Sequence, residues 1–162
     1  MKSIYKTEKE DESNYWNWNG FKIFWDVKGE NNKQPIIMLH GFGASSKHWR
    51  SNSFYFAKKG YSVYSIDLIG FGNSAQPGIR EIGKLDNGVW CNQVKDFISQ
   101  IIRPKTSNKV ILIGNSLGSL VALTCAVYLK NEILSVIASS LPDPPLINET
   151  GSKLNSIFEK FK

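Results

Sequence analysis

The sequence has little cysteine and little histidine. Its 162 residues contain two cysteines, Cys91 and Cys125, and two histidines, His40 and His48. Two cysteines are too few for a disulfide framework, and they lack the spacing of metal ligands. We therefore expect no metal and no cofactor. Free thiols are typical of a reducing compartment, which favours a cytoplasmic location.

The sequence also lacks a dense basic run and an apolar leader. Its net charge is +6, but the lysines are scattered, so we expect no binding of nucleic acid. Residues 1–14 are polar and charged, unlike a signal peptide, and are expected to form a disordered tail. Residues 110–129 are uncharged and long enough to span a bilayer. Because that run contains two glycines and several polar residues, a buried strand, a turn and a buried helix describe it better than a transmembrane segment.

Strand and helix patterns alternate along residues 15–162, which we expect to form the N-terminal part of one domain that is incomplete at its C-terminal end. Aromatic and polar residues alternate on both sides of Asn19-Gly20, which predicts a β-hairpin. The later strands each precede a helix, so crossovers should make the rest of the sheet parallel. The expected fold class is α/β, with a mostly parallel sheet and an antiparallel N-terminal hairpin. The predicted strands are 15–18, 21–27, 35–39, 61–68, 109–113 and 133–139, and the predicted helices are 46–59, 89–102, 117–129 and 152–161.

A sharp turn joins the strand at 109–113 to the helix at 117–129. Its residues, Gly114-Asn115-Ser116-Leu117-Gly118, fit the pattern G-x-S-x-G. Such a turn strains the serine backbone and exposes its hydroxyl at the edge of the sheet, where the helix N-terminus presents N–H groups. Side chains at Gly114 and Gly118 should collide with the strand and the helix. The alternative is that Ser116 merely caps the helix.

Two other strand ends carry related features. His40-Gly41-Phe42-Gly43 follows the strand at 35–39, and Gly41 and Gly43 permit a tight turn there. Backbone N–H groups of Phe42 and Leu117 could then form an oxyanion hole for acyl transfer. The loop Asp67-Leu68-Ile69-Gly70-Phe71-Gly72-Asn73-Ser74 follows the next strand.

In the order and spacing of these three motifs, residues 15–141 resemble the α/β-hydrolase superfamily. Three features are also similar to the branch that contains pheophytinase and chlorophyll dephytylase. They are His40 to Ser45 followed by His48-Trp49, the helix with Trp90, Gln93, Val94 and Phe97, and the turn Gly114 to Gly118, which we call the elbow. The resemblance implies that Ser116 attacks an ester carbonyl, while a histidine oriented by Asp or Glu acts as base and then acid. Because residue 116 is Ser, the Asp nucleophile of epoxide hydrolases and dehalogenases is excluded. Thioesterase and acyltransferase chemistry would use the same elbow.

The histidines depart from the family pattern, in which the acid and then the histidine follow the serine. No histidine follows Ser116 in this sequence. The resemblance gives His40 a structural role in the oxyanion loop, and His48 is expected to make surface or loop contacts. Asp143 occupies a place where a minority of the family carries the acid, although its neighbouring prolines suit a plain turn equally well.

Two function classes follow from this departure. The first is a serine hydrolase for carboxylic esters with apolar groups, truncated and weakly active or inactive alone. The second is a non-catalytic remnant or interaction module, whose strand at 133–139 pairs with another chain. A complementing C-terminal fragment is one such partner.

Three further patterns suggest ligands but have simpler explanations. Residues 70–75 fit G-x-G-x-x-A, but Gln76-Pro77-Gly78 breaks the chain where a dinucleotide site needs a helix. Residues 78–84 fit G-x-x-x-x-G-K, but Leu85 replaces the hydroxyl residue that would bind Mg²⁺. Three tryptophans of the hairpin, Trp16, Trp18 and Trp25, could stack on a ligand, although packing across the strands is the more common role.

Overall fold

A six-stranded sheet with helices on both faces forms the described part of the protein, as a computed structural model shows. The structure describes residues 14–30, 32 and 34–142. The tail predicted at 1–14, apart from Asn14, and the helix predicted at 152–161 lie outside the described residues. The strands are β1 (Tyr15–Trp18), β2 (Phe21–Lys28), β3 (Gln34–Leu39), β4 (Tyr61–Ile66), β5 (Val110–Asn115) and β6 (Ile133–Ser139), and the helices are α1 (Arg50–Lys58), α2 (Ile79–Ile82), α3 (Asn87–Phe97) and α4 (Leu117–Tyr128).

The strands lie in the order β1-β2-β4-β3-β5-β6. β1 and β2 form an antiparallel hairpin, and β2 also pairs antiparallel with β4. β4, β3, β5 and β6 are parallel to one another. The predicted α/β fold with an antiparallel N-terminal hairpin is therefore confirmed. Parallel strands end at the same edge of a sheet, so the segments after β3, β4 and β5 lie close together.

The central strands are apolar on both faces. Ile37 and Leu39 of β3 point into the larger core cluster, which α3 and α4 cover. Ile36 and Met38 point to the opposite face, into a smaller cluster. Alternate residues of a strand face opposite sides, which explains why this continuous apolar run is fully buried.

Trp16 and Trp18 of the hairpin pack against α3 and the π-helical turn, Ile98–Ile102, that follows it. Trp16 and Trp18 are 7% and 4% exposed. The Nε1 of Trp16 donates to Gln100 Oε1 at 2.9 Å, and the Nε1 of Trp18 donates to Asp96 Oδ2 at 2.9 Å. The buried, hydrogen-bonded rings of Trp16 and Trp18 hold the hairpin to the core and are not free to stack on a ligand. Trp25 is partly buried and packs against Tyr64 and Phe97.

Several helix bounds differ from the sequence prediction. The helix predicted at 46–59 is a 3₁₀ turn, Ser46–Trp49, followed by α1. α2 lies between the strand predicted at 61–68 and the helix predicted at 89–102, where no helix was predicted. α3 begins earlier than predicted because Asp86 Oδ1 accepts hydrogen bonds from the N–H groups of Gly88 and Val89. The uncharged run 110–129 divides into β5 and α4, as predicted. No helix in the described ranges is long and apolar enough to cross a bilayer.

Candidate active site

Ser116 lies on the turn between β5 and α4 in an unusual backbone conformation. Its φ is 53° and its ψ is −116°, a combination that L-residues rarely adopt. Its side chain makes no capping hydrogen bond to the first turn of α4. The alternative that the Ser116 side chain caps the helix is therefore not supported, and the residue is only partly buried.

The two glycines of the elbow lie where no side chain fits. A Cβ on Gly114 would come within 2.2 Å of the Gly118 carbonyl oxygen. A Cβ on Gly118 would come within 2.1 Å of the Leu39 carbonyl oxygen, at the end of β3. Real Cβ atoms do not approach backbone this closely, so α4 can begin directly against β5 and β3 only with glycine at both positions.

The loop after β3 lies directly beside the elbow. A Cβ on Gly41 would be 3.3 Å from the Cβ of Ser116. Gly43 has a φ of +68°, which glycine adopts readily. The ring of Phe42 is 80% exposed and meets the ring of Phe71 edge to face at 5.3 Å. The structure thus brings Gly41 to Ser116, while Leu117 is the first residue of α4, whose N–H has no partner within the helix.

His40 is buried and both of its ring nitrogens are engaged. Nδ1 lies 2.8 Å from the carbonyl oxygen of Gly41, and Nε2 lies 3.0 Å from the N–H of Leu68. Since an amide nitrogen can only donate, Nε2 accepts and Nδ1–H donates to Gly41, which describes a neutral ring. Burial lowers the pKa of His40 below its ordinary value, although the carbonyl of Gly41 and the charge of Asp67 oppose the shift. The ring links the loop after β3 to the loop after β4 and has no nitrogen left to act as a base.

Asp67 holds two loops through its carboxylate. Oδ1 accepts a hydrogen bond from the N–H of Ser46, and Oδ2 accepts one from the N–H of Asn73 at 2.8 Å. A Cβ on Gly72 would lie 2.1 Å from Oδ2, so glycine lets the loop fold over the carboxylate. Asp67 is 1% exposed, so its carboxylate holds these two loops together inside the protein.

Gln93 of α3 anchors the same region from the helix side. Its Oε1 accepts from the N–H of Ile69 at 3.0 Å, and its Nε2 donates to the carbonyl of Asp67 at 3.3 Å. Trp90 Nε1 donates to the carbonyl of Ile69 at 3.0 Å. Neither side chain had been assigned this role from the sequence. The available signal was a glutamine next to the apolar face of a predicted helix, where an amide must find a partner.

His48 lies in the 3₁₀ turn before α1, exposed and edge to face with Trp49 at 4.8 Å. It also lines a cavity of about 330 Å³, together with Asn115 and Ser139. The structure gives no hydrogen bond between His48 and Ser116. Asp143 lies outside the described residues, so its predicted acid role stays a prediction.

Comparison with known proteins identifies a family that matches most of the chain. A family model described as alpha/beta hydrolase fold matches residues 34–161. Epoxide hydrolase 4 of Mus musculus is 30% identical over 131 residues, which are 81% of this chain and 34% of that protein. Probable lysophospholipase BODYGUARD 4 of Arabidopsis thaliana is 32% identical over 128 residues, which are 78% of this chain and 29% of that protein. The chain therefore spans about a third of the length of these curated relatives.

A solved structure agrees with this family. The crystal structure of a bacterial membrane phospholipase A superposes with a TM-score of 0.68 and 25% identity, covering 76% of this chain and 37% of the other. The similarity to pheophytinase and chlorophyll dephytylase stays a prediction, because the relatives reported above carry other names.

Proposed function

Because this chain belongs to the α/β-hydrolase fold family, we propose that it is the nucleophile-bearing part of a serine hydrolase for carboxylic esters. Ser116 would attack the ester carbonyl, and the N–H groups of Phe42 and Leu117 would stabilise the oxyanion that forms. His40, Gly41, Gly43, Gly114 and Gly118 would support this geometry without taking part in the reaction.

The observation that carries the proposal is the backbone of Ser116, with φ 53° and ψ −116° and Gly41 packed against it. Strain of this kind persists only where the surrounding structure enforces it, and it concentrates at functional positions. It places the Cβ of Ser116 against Gly41, in the loop that would supply the second oxyanion donor. A serine kept only for packing would adopt an ordinary conformation.

The name of the mouse relative raises epoxides as an alternative substrate class. The identity of residue 116 argues against them. Carboxylate attack on an epoxide gives an ester that water can cleave, whereas attack by the Ser116 hydroxyl would give a stable ether. Turnover therefore requires an acyl substrate, for which the lysophospholipase and phospholipase names of the other two relatives offer precedents.

The proposal includes apolar substrates and a cytoplasmic location. The exposed ring of Phe42, in contact with Phe71, supports an apolar group beside Ser116. The low cysteine content, two in 162 residues, supports a reducing compartment.

Activation of Ser116 would require a histidine at the place the family puts it, after the serine, and these 162 residues do not supply one. No histidine follows Ser116, both ring nitrogens of His40 are engaged, and the chain spans a third of its relatives. The cheapest test is the coding sequence directly after Lys162. An in-frame Asp or Glu followed by His in later strand-end loops would support a hydrolase, whereas an immediate stop codon would count against it.

A fluorophosphonate probe and p-nitrophenyl esters provide the biochemical test. The 162-residue chain should show little or no turnover, apart from a small residual rate from the oxyanion hole. A chain extended through the downstream acid and histidine should label at Ser116 and hydrolyse the ester, and Ser116→Ala should abolish both. Full turnover by the 162-residue chain, lost in Ser116→Ala, would refute the requirement for outside residues. If the extended chain is not labelled by the fluorophosphonate probe, the role of Ser116 as nucleophile is refuted.

A second candidate function is an interaction module, and the exposure of β6 favours it. Within the described part of the chain β6 forms one edge of the sheet, and its Leu134 and Ile137 are 57% and 51% exposed. Ile137 also lines the 330 Å³ cavity beside Trp49, whose buried Nε1 has no partner. The partner that fits is a complementing segment carrying the missing catalytic residues.

This second candidate predicts assembly that depends on β6. Leu134→Lys and Ile137→Lys should abolish association with a separately expressed C-terminal segment, measured by size-exclusion chromatography with light scattering. Ser116→Ala should leave that association unchanged. Association that survives both lysine substitutions would contradict pairing through this strand.

A further inference from the structure

Two cysteines far apart in sequence meet inside the core, away from the elbow. Cys91 lies on α3 and Cys125 on α4, and their Sγ atoms are 3.4 Å apart. Both thiols are free, with exposed fractions of 5% and 0%. A disulfide needs an S–S distance of about 2.05 Å, so the two sulfurs would have to approach by only about 1.4 Å.

The contact makes the two thiols chemically unequal. Cys125 Sγ donates a hydrogen bond to Cys91 Sγ. That bond, together with the charge of Lys95 one helical turn away, lowers the pKa of Cys91 against the opposing effect of burial. The same bond and burial raise the pKa of Cys125. The thiolate is the reactive form of cysteine, so Cys91 is the nucleophile of the pair. Cys125 lies where its sulfur can attack an oxidised Cys91 and form a disulfide.

We propose that Cys91 and Cys125 form a peroxide-sensitive dithiol that closes to an intrachain disulfide between α3 and α4. The Cys91 thiolate attacks one oxygen of hydrogen peroxide, the O–O bond breaks, and hydroxide leaves and takes up the proton that Cys91 lost. Cys91 then carries a sulfenic acid. The sulfur of Cys125 attacks the sulfur of Cys91, the S–O bond breaks, and the hydroxyl leaves as water with the Cys125 proton. Two thiols lose two electrons in total, and one peroxide becomes two waters.

The burial of the pair favours closure within one chain over other products. Cys125 is fully buried against Cys91, so the partner sulfur is always closer than a thiol of another molecule. Cys91 is 5% exposed, which favours a reagent as small as peroxide over larger ones. Resolution by Cys125 should therefore outrun further oxidation of the sulfenic acid.

Closure would join two helices that support the loops around the elbow. α3 holds the loop after β4 through Gln93 and Trp90, and α4 begins at the elbow that carries Ser116. The proposal does not rest on hydrolase activity, because its readout is the state of the two thiols.

The test treats the purified 162-residue chain with hydrogen peroxide and maps peptides under non-reducing conditions. We expect a Cys91–Cys125 linked peptide, a monomer lighter by two hydrogen atoms, and loss of both titratable thiols, all reversed by dithiothreitol. The oxidised chain should also melt at a higher temperature than the reduced chain, because the bond restricts the unfolded state. Two intact thiols, disulfide-linked dimers, or Cys91 sulfinic acid as the main product would each overturn the proposal.

Matched single substitutions separate the two roles. In Cys125→Ala, peroxide should leave Cys91 as a sulfenic acid, since no resolving thiol remains, and dimedone should trap it when added in denaturant after the peroxide has been removed. In Cys91→Ala, Cys125 should stay a thiol under the same treatment. Equal dimedone labelling of the two variants would refute the assigned roles, and the peptide map of the unsubstituted chain decides the proposal even if a variant fails to fold.

Discussion

Replacing Ser116 by glycine should stabilise the protein while removing its candidate nucleophile. Ser116 has φ 53° and ψ −116°, and its side chain makes no capping hydrogen bond that the substitution would remove. Glycine adopts positive φ without the steric clash of a Cβ. The structure therefore predicts that the residue most important to the proposed chemistry is also one that lowers stability.

The magnitude follows from two opposing terms. A non-glycine residue held in such a conformation costs about 1–3 kcal/mol, which Ser116→Gly would release. Glycine gives the unfolded chain more freedom, which costs about 0.4–1 kcal/mol. The net gain should be about 1 kcal/mol, or a Tm higher by roughly 2–4 °C for a chain of this size.

Urea and thermal unfolding followed by tryptophan fluorescence would measure this gain. The reference is Ser116→Ala, which removes the hydroxyl but keeps the strained Cβ. Ser51 supplies a matched control, because it is exposed within α1, where glycine should be less stable than alanine by about 1 kcal/mol. If Ser116→Gly is no more stable than Ser116→Ala, while Ser51 behaves as expected, the backbone of Ser116 is not strained.

Three other predictions concern the surroundings of the elbow. Gly118→Ala should destabilise the fold by about 3 kcal/mol or more in urea unfolding, because its Cβ would meet the Leu39 carbonyl at 2.1 Å; a loss below about 1 kcal/mol would contradict the close approach. Asp67→Asn should cost about 2–3 kcal/mol in the same assay, because asparagine has one oxygen and can replace only one of the two carboxylate acceptors; an unchanged midpoint would refute this support role. Burial lowers the pKa of His40 in the folded chain below 6.5, its value in the unfolded chain. Between these two pKa values the unfolded chain binds more protons than the folded chain, so the free energy of unfolding should fall as the pH drops through this range. In thermal melts over a pH series, His40→Asn should remove this pH dependence and His48→Gln should keep it. A pH dependence that persists in His40→Asn would show that another group causes it.

Much of the fold could be predicted from periodicity. The apolar run at β3 and the alternation in the hairpin predicted buried parallel and half-buried antiparallel strands, which the sheet confirms. The position of β4 between β2 and β3 could not be predicted in this way, because hydrophobic pattern indicates burial but not which strands are neighbours. α2 was missed because four residues are too few to show a helical period.

The candidate site was only partly visible in the sequence. Glycine spacing pointed to the elbow and to the loop after β3, since steric demands of tight turns act locally. The supports from Gln93 and Asp67 depend on contacts between segments 26 and 21 residues apart, which no local pattern encodes. The pairing of Cys91 with Cys125 was likewise invisible, because it arises from the packing of α3 on α4.

The conformation of Ser116 is enforced by elements that all lie within the described chain. Its N–H donates to the Ser139 carbonyl of β6 at 3.0 Å, and its carbonyl accepts from the N–H of Ser119 at 2.9 Å. The hydroxyl of Ser119 lies 2.9 Å from the Gly114 carbonyl and 2.8 Å from that of Ser139, which ties α4 to both strands. None of these contacts involves a histidine or a carboxylate. The backbone geometry of the elbow is therefore set by the sheet and α4, whereas the reactivity proposed for Ser116 would depend on a base that takes no part in these contacts.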